Sequence, residues 1–246
     1  MTTLILSPRH RADDQLLWRA ATRRGWQVER AHGIRSLEPI DDEVVIYAEA
    51  FFAPLIAQRL GCALIDPPED WLPRLPYGYR QRDVSRSTLA DARSLTRPTF
   101  VKPPNDKSFP ARVYLSGDSL PSEFDGMMTV LLAEPVTWKN EYRCFVLDGN
   151  VLTLSPYIID GDLAELTGFV APEEELAAAR CFAQSVAADP LANLPAAVAL
   201  DIGVIEGRGW AVVEANGAWG SGIYGCDPDA VLDVLKRATV AQRTAV

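Results

Sequence analysis

Between Ala197 and Asn216 the chain reads Ala-Val-Ala-Leu-Asp-Ile-Gly-Val-Ile, then Glu-Gly-Arg-Gly, then Trp-Ala-Val-Val-Glu-Ala-Asn. Two runs rich in β-branched residues around a glycine-containing turn predict a β-hairpin. Val198, Leu200, Ile202, Val204, Val212, Val213 and Ala215 are apolar on both parities, so the strand pair has to be covered on both faces. A pair of that kind should not carry acids without a partner, yet Asp201 and Glu214 stand within it. With Gly207 and Arg208 as a two-residue loop, Asp201 falls directly opposite Glu214. Asn216 then follows on the same face, because strand side chains repeat every two residues. Opposed Cβ atoms are only ~4.5–5.5 Å apart. Two carboxylates so close, beside an amide oxygen and with no His or Cys nearby, form a hard-oxygen donor set that suits Mg²⁺ and substrate phosphates. The bland alternative, a pair of solvated hairpin acids, is weakened by the apolar flanks.

The rest of the chain narrows the setting. Its 246 residues are 48% apolar and 23% charged, a composition of globular proteins that allows one or two domains and a sizeable core. Asp plus Glu outnumber Lys plus Arg by 33 to 24, which argues against a protein whose main business is coating nucleic acid. No apolar run approaches the ~18 residues of a membrane span, and Met1-Thr2-Thr3 leads straight into a strand-like run rather than a signal peptide. A cytoplasmic protein with no membrane partner is expected. Cys62, Cys144, Cys181 and Cys226 lie far apart with no C-x-x-C, and the first three sit in apolar company, so buried thiols in a reducing compartment are expected. His10 and His32 have no partner pattern. Neither G-x-G-x-x-G nor G-x-x-x-x-G-K-[ST] occurs, which excludes the standard dinucleotide and P-loop phosphate sites.

Apolar runs at Leu4–Leu6, Val44–Tyr47 and Ala63–Ile65 predict three strands. Helices are expected from Asp13 or Asp14 (as cap) through Arg24, stopping at Gly25, and from about Phe51 to Leu60, stopping at Gly61. This is the pattern of an open α/β domain over residues 1–82. The proline-rich stretch Asp66–Arg82 reads as a crossing segment. From Ser85 the pattern predicts a helix, a strand at Thr99–Lys102, a polar loop and a strand at Arg112–Leu115. Beyond Thr129 it is mostly β, with helices at about Glu173–Ala187 and Pro228–Thr239, the last capped by Asp227.

Cations accompany the acids. Lys102 ends the strand Thr99-Phe-Val-Lys, and Lys107 stands in the polar turn after it. A hairpin with Asp148-Gly149 at its tip puts Glu141, Arg143 and Phe145 on one face. Each Lys or Arg alone reads as a solvated charge; together with the acids they offer what phosphates need. After Asn216, Gly-Ala-Trp-Gly-Ser-Gly-Ile-Tyr-Gly carries four glycines, so its backbone can approach a ligand closely, with Ser221 and Tyr224 as candidate substrate contacts.

Phe-Val-Lys-Pro at 100–103, Ala-Glu-Pro-Val at 133–136, Glu-Tyr-Arg at 141–143, Leu-Asp-Ile-Gly at 200–203 and Val-Glu-Ala-Asn at 213–216 follow in the order of the ATP-grasp superfamily. Over about residues 85–240 the chain resembles one of its small, compact branches of carboxylate–amine ligases. The resemblance implies an ATP-grasp fold of the α/β (α+β) class behind an N-terminal open, Rossmann-like α/β domain. It divides the chain into 1–82, a lid subdomain 83–133 and a C-terminal subdomain 134–246 that holds the metal. It implies ATP and Mg²⁺ as cofactors, with Lys102 on the phosphates and the adenine edge. Glu134 would sit at the adenine hinge, main-chain groups of Pro135, Val136 and Thr137 on the base, and Glu141 on the ribose. Arg143 would face the γ-phosphate or an acyl phosphate, and Asp201, Glu214 and Asn216 would hold Mg²⁺. One departure stands out. The phosphate loop of many relatives is Gly/Ser-rich, whereas Pro103-Pro-Asn-Asp-Lys-Ser-Phe-Pro110 has no glycine, which makes Lys107 (and, more weakly, Lys139) the candidate extra charge. The implied activity is ATP-dependent amide formation between a small-molecule carboxylate and an amine, through an acyl phosphate. A phosphotransferase or a nucleotide-binding module without turnover would use the same scaffold. A homodimer is compatible with the sequence, which leaves oligomeric state and substrates open.

Overall fold

A computed structural model describes residues 1–33, 37, 38, 40, 42–105 and 107–242. Asp106 of the phosphate loop therefore lies outside the described residues. The chain opens with β1 (Thr2–Leu6), α1 (Ala12–Arg23), β2 (Gln27–Arg30) and β3 (Glu43–Tyr47), with β1 central and parallel to both neighbours. β2 has no counterpart in the sequence pattern: Gln-Val-Glu-Arg has no apolar run, because it is an edge strand with only one half-covered face. α1 begins before the expected cap. Arg11 is its N-cap, and Asp14 in the first turn accepts the Arg11 backbone N–H at 3.2 Å. Leu17, Ala20 and Ala21 are buried as the pattern requires, whereas Leu16 is exposed. Gly25, at φ +73°, ends the turn after it, a conformation that L side chains resist.

α2 (Ala53–Arg59) and β4 (Cys62–Leu64) follow. The proline-rich crossing segment is not a plain linker: α3 (Trp71–Arg74) and α4 (Tyr77–Arg80) bury Trp71, Leu72 and Leu75 in the main core, and the Trp71 indole donates to Ala192 O at 2.7 Å. Ser85 starts no helix. It lies in β5 (Val84–Thr88), which turns into the short α5 (Leu89–Ala92) where the Thr88 hydroxyl accepts the Asp91 N–H. β6 (Thr99–Lys102), β7 (Arg112–Tyr114) and β8 (Thr129–Ala133) complete an antiparallel sheet in the order β5-β8-β6-β7.

The largest sheet comes next. β9 (Trp138–Leu147) and β10 (Asn150–Ile159) are joined by Asp148 and Gly149 at φ +45° and +78°, two left-handed residues in succession as a tight hairpin turn demands. β11 (Asp162–Leu163), α6 (Glu173–Ala188), β12 (Ala197–Ile205) and β13 (Gly209–Gly217) give the order β11-β10-β9-β12-β13. α7 (Pro228–Ala238) starts at the Asp227 cap, which accepts the Asp229 N–H at 3.1 Å. One face of the sheet meets α6 and the crossing segment. The other meets α7, β1 and β3. The apolar residues on both parities of the 197–216 hairpin are thereby accounted for. β14 (Thr239–Ala241) follows α7, with Thr239 in the strand rather than at the expected helical end; it pairs antiparallel with β4, which does not join the first sheet. Cys62, Cys144 and Cys226 are buried free thiols, but Cys181 is exposed on α6.

Gly203 shows how tightly β12 is packed. A Cβ there would lie 2.7 Å from Asn140 O and 2.8 Å from the Trp138 ring. Gly203→Ala is expected to cost ~1–3 kcal/mol by overpacking, read as a lower urea midpoint.

Candidate active site

The hairpin brings Asp201 opposite Glu214, as expected, but by a different route. Ile205 pairs with Gly209, so the loop is Glu206-Gly207-Arg208, three residues rather than two. That alone would shift the register by one and turn Glu214 to the wrong face. A β-bulge between Asp201 and Ile202 leaves Val213 unpaired and restores the count. Asp201 also faces Arg143 on β9, which faces Ser155 on β10. Glu214, Asp201, Arg143 and Ser155 therefore form one row across four strands.

Each acid of that row has its own base. Asp201 is fully buried and takes both Arg143 Nε at 2.8 Å and Nη2 at 2.6 Å. Arg143 Nη1 donates to Gly222 O at 3.1 Å, and the guanidinium carbon lies 5.2 Å from the rings of both Tyr157 and Tyr224. Burial opposes the charge of Arg143, but Asp201 outweighs it and raises the guanidinium pKa. Glu214 pairs with Lys102 Nζ and accepts Asn216 Nδ2 at 2.8 Å. Against the cost of burial, Lys102 above all, with Asn216 and Arg143, brings the Glu214 carboxyl down to about 2. Because Lys102 ends β6, this ion pair joins the four-stranded sheet to the five-stranded one.

The other expected residues surround this corner or stand apart. Glu141 accepts the Tyr157 hydroxyl at 2.5 Å, and burial raises its carboxyl pKa. Glu134 holds Arg208 at 2.6 and 3.0 Å in a surface pair, which lowers its carboxyl. Pro135, Val136 and Thr137 lead from β8 to β9, and Thr137 O already accepts the Glu206 N–H. The Ser221 hydroxyl donates to Gly217 O at 2.9 Å and so braces its own loop. Tyr224 is left-handed at φ +49° and stacks on Tyr157 with centroids 5.1 Å apart. Lys107 and Lys139 are exposed.

Sequence reasoning missed three groups. Tyr157 reads as one more aromatic in a strand. Asp13, a candidate cap in the sequence, instead accepts the Ile223 N–H at 3.0 Å and lies 3.1 Å from the Tyr47 hydroxyl, fastening the glycine-rich loop to α1 and β3. Arg82 is a buried guanidinium on the carbonyls of Val212 and Val213. Nothing in the local sequence signals a contact across 130 residues.

Among the described residues no group of three His, Cys, Asp or Glu is spaced to hold a metal ion. What the corner offers is two carboxylates and an amide oxygen. Arg143 takes one hydrogen bond per Asp201 oxygen and leaves further lone pairs, while the Glu214 side chain is 28% exposed. That donor set fits an ion completing its shell with substrate phosphates and water, as Mg²⁺ commonly does.

No helix among the described residues is long and apolar enough to cross a membrane. No curated protein matches the sequence. Solved structures share the fold at low identity. A RimK domain ATP-grasp protein from Sphaerobacter thermophilus DSM 20745 is 14% identical, with 96% of this chain and 99% of that one covered at a TM-score of 0.57. The D-cycloserine synthetase DcsG is 14% identical over 96% and 99%, with a TM-score of 0.60. The ATP-grasp ligase PsnB, solved with its precursor peptide PsnA2 and AMPPNP, is 12% identical over 96% of each chain at 0.50. The family model for the ATP-grasp domain of the R-2-K clade, family 2, matches residues 79–234. With the D…E-x-N hairpin, the lysine-tipped strand and this match over more than half its length, the chain belongs to the ATP-grasp superfamily, in family 2 of the R-2-K clade.

Proposed function

We propose that this protein is an ATP-dependent ligase that joins a carboxylate to an amine through an acyl phosphate. The observation that carries the reading is the corner in which the facing acids Glu214 and Asp201 are flanked by Lys102 and Arg143, set where the four-stranded and five-stranded sheets meet and linked to the glycine-rich loop through Gly222. Two acids balanced by two bases cancel in charge. An arriving triphosphate draws Lys102 from Glu214, and the freed carboxylate, with Asp201 and Asn216, is where Mg²⁺ would be held. The ion supplies charge neutralisation for the phosphates.

The chain's own groups do the rest. Glu134, Pro135, Val136 and Thr137 line the base, Glu141 reaches the ribose, and Lys102 orients the phosphates. Lys107 adds charge from the loop after β6. A carboxylate oxygen of the substrate attacks the γ-phosphorus and ADP leaves; the amine then attacks the acyl carbon, loses a proton and expels phosphate. Arg143, held flat by Asp201 and the two tyrosine rings, faces the charge that develops. Ser221 and Tyr224 shape the substrate side of the loop. Residues 83–133 act as the lid that keeps water from the acyl phosphate, between an N-terminal unit 1–82 and the subdomain 134–246. A small-molecule carboxylate and an amine, either an amino acid or a peptide, are the partners.

The test is phosphate release with Mg²⁺-ATP against pooled carboxylates and amines. Release is expected only when both are present. A stable phosphorylated product without amine makes the protein a phosphotransferase, and tight ATP binding with no ADP formed across the panel makes it a binding module.

A further inference from the structure

The bulge at Val213 has a side-chain partner on its outer edge. Successive carbonyls of a regular strand point to opposite edges, so no single side chain can reach two in a row. Here Arg82 does so: Nη1 donates to Val212 O at 2.7 Å and Nη2 to Val213 O at 2.9 Å. β13 is the outer strand of its sheet, so no neighbouring strand supplies those hydrogen bonds. Arg82 is 5% exposed, with a further bond from Nη1 to Arg80 O at 3.1 Å and its guanidinium carbon 4.9 Å from the Trp138 ring. Trp138 in turn packs against Gly203 of β12. Near the loop the ladder pairs Ile205 with Gly209 and Ile202 with Val212. Continued without a bulge, it would set Asp201 against Val213 and turn Glu214 and Asn216 to the face where Leu200 and Ala215 are buried.

We propose that Arg82 is the positioning residue of this site: by gripping the Val212 and Val213 carbonyls it holds the bulge that puts Glu214 and Asn216 on the face of Asp201. Its consequence for nucleotide binding rests on the function proposed above; the register itself does not. A lysine cannot replace it, because a point ammonium lacks the planar fork that spans two carbonyls.

A cysteine trap reads the register without any ligand. Ala199 and Asn216 are directly opposed, close enough for a disulfide only in the bulged register. In a Cys181→Ser background, A199C/N216C is expected to close under mild oxidation, and adding Arg82→Met or Arg82→Lys to lower the yield at least tenfold. Deleting Val213 removes the extra residue, so a regular ladder then sets Asp201 opposite Glu214 with no clamp; this deletion is expected to restore trapping to the Arg82→Met chain. Equal trapping with and without Arg82 overturns the proposal, as does failure of the deletion to restore it. If Arg82→Met alone does not fold, the version lacking Val213 decides: folding and trapping support the clamp, and failure to fold overturns it. In the chain without added cysteines, calorimetry with a non-hydrolysable ATP analogue is expected to show the Mg²⁺-dependent gain in affinity shrinking at least tenfold in Arg82→Met. An undiminished gain overturns the clamp's service to this corner. A trap that follows Arg82 in a protein that binds no nucleotide at all upholds the positioning and removes the ligase reading instead.

Discussion

Asp201→Asn is expected to abolish turnover, by at least ~100-fold, because on the function proposed above it takes a charge from a side chain that both braces Arg143 and would hold Mg²⁺. The structure adds a second effect. Asp201 is fully buried and holds Arg143 in two hydrogen bonds. Breaking a buried pair by removing one charge costs ~3–5 kcal/mol, since the remaining ion has no water to turn to. Phosphate-release kinetics and urea unfolding on the same preparation separate the two: the midpoint falls, and the folded fraction is still inactive. Glu214→Gln should match it in activity but not in stability, because Glu214 is partly exposed and its loss leaves Lys102 nearer to solvent. Wild-type turnover in either variant would overturn the proposal that these residues hold Mg²⁺.

Lys102→Ala is expected to weaken ATP binding by ~10–100-fold, the worth of a charge-assisted bond to phosphate, measured by calorimetry. It also has a signature in acid. The folded-state Glu214 carboxyl lies at about 2, below its ordinary 4.5. A depressed carboxyl stabilises the fold above its unfolded value, and that stability drains away as pH falls through the folded one. Wild type should therefore lose stability between about 4.5 and 2, and Lys102→Ala should show a shallower fall of Tm across this window. An unchanged acid limb would mean that Lys102 does not govern Glu214.

The same corner shows what a sequence can and cannot disclose. The hairpin is legible because apolar residues on both parities and a glycine turn are local signals, and the acids within it stand out against them. The facing of Asp201 and Glu214 follows correctly even from a loop one residue too short, because the bulge at Val213 offsets the extra loop residue. A bulge is invisible in Ala-Val-Val-Glu; its cause is Arg82, far upstream in a segment that reads as a linker. β2 and β14 are hidden for a related reason: short edge strands bury too little to need an apolar run. Cys181 looks buried by its neighbours in sequence, but successive residues of a helix point in different directions, and this one faces outward.

The pairing of β4 with β14 has a consequence for how the protein is made. Residues 62–64 find their partners only at 239–241, and the first sheet is roofed by α7, far downstream of its own strands. During synthesis the early strands must leave the ribosome and wait, with an apolar face uncovered, until α7 and β14 have emerged. Slow docking of α7 and β14 as the last phase of refolding is the expected result of that topology.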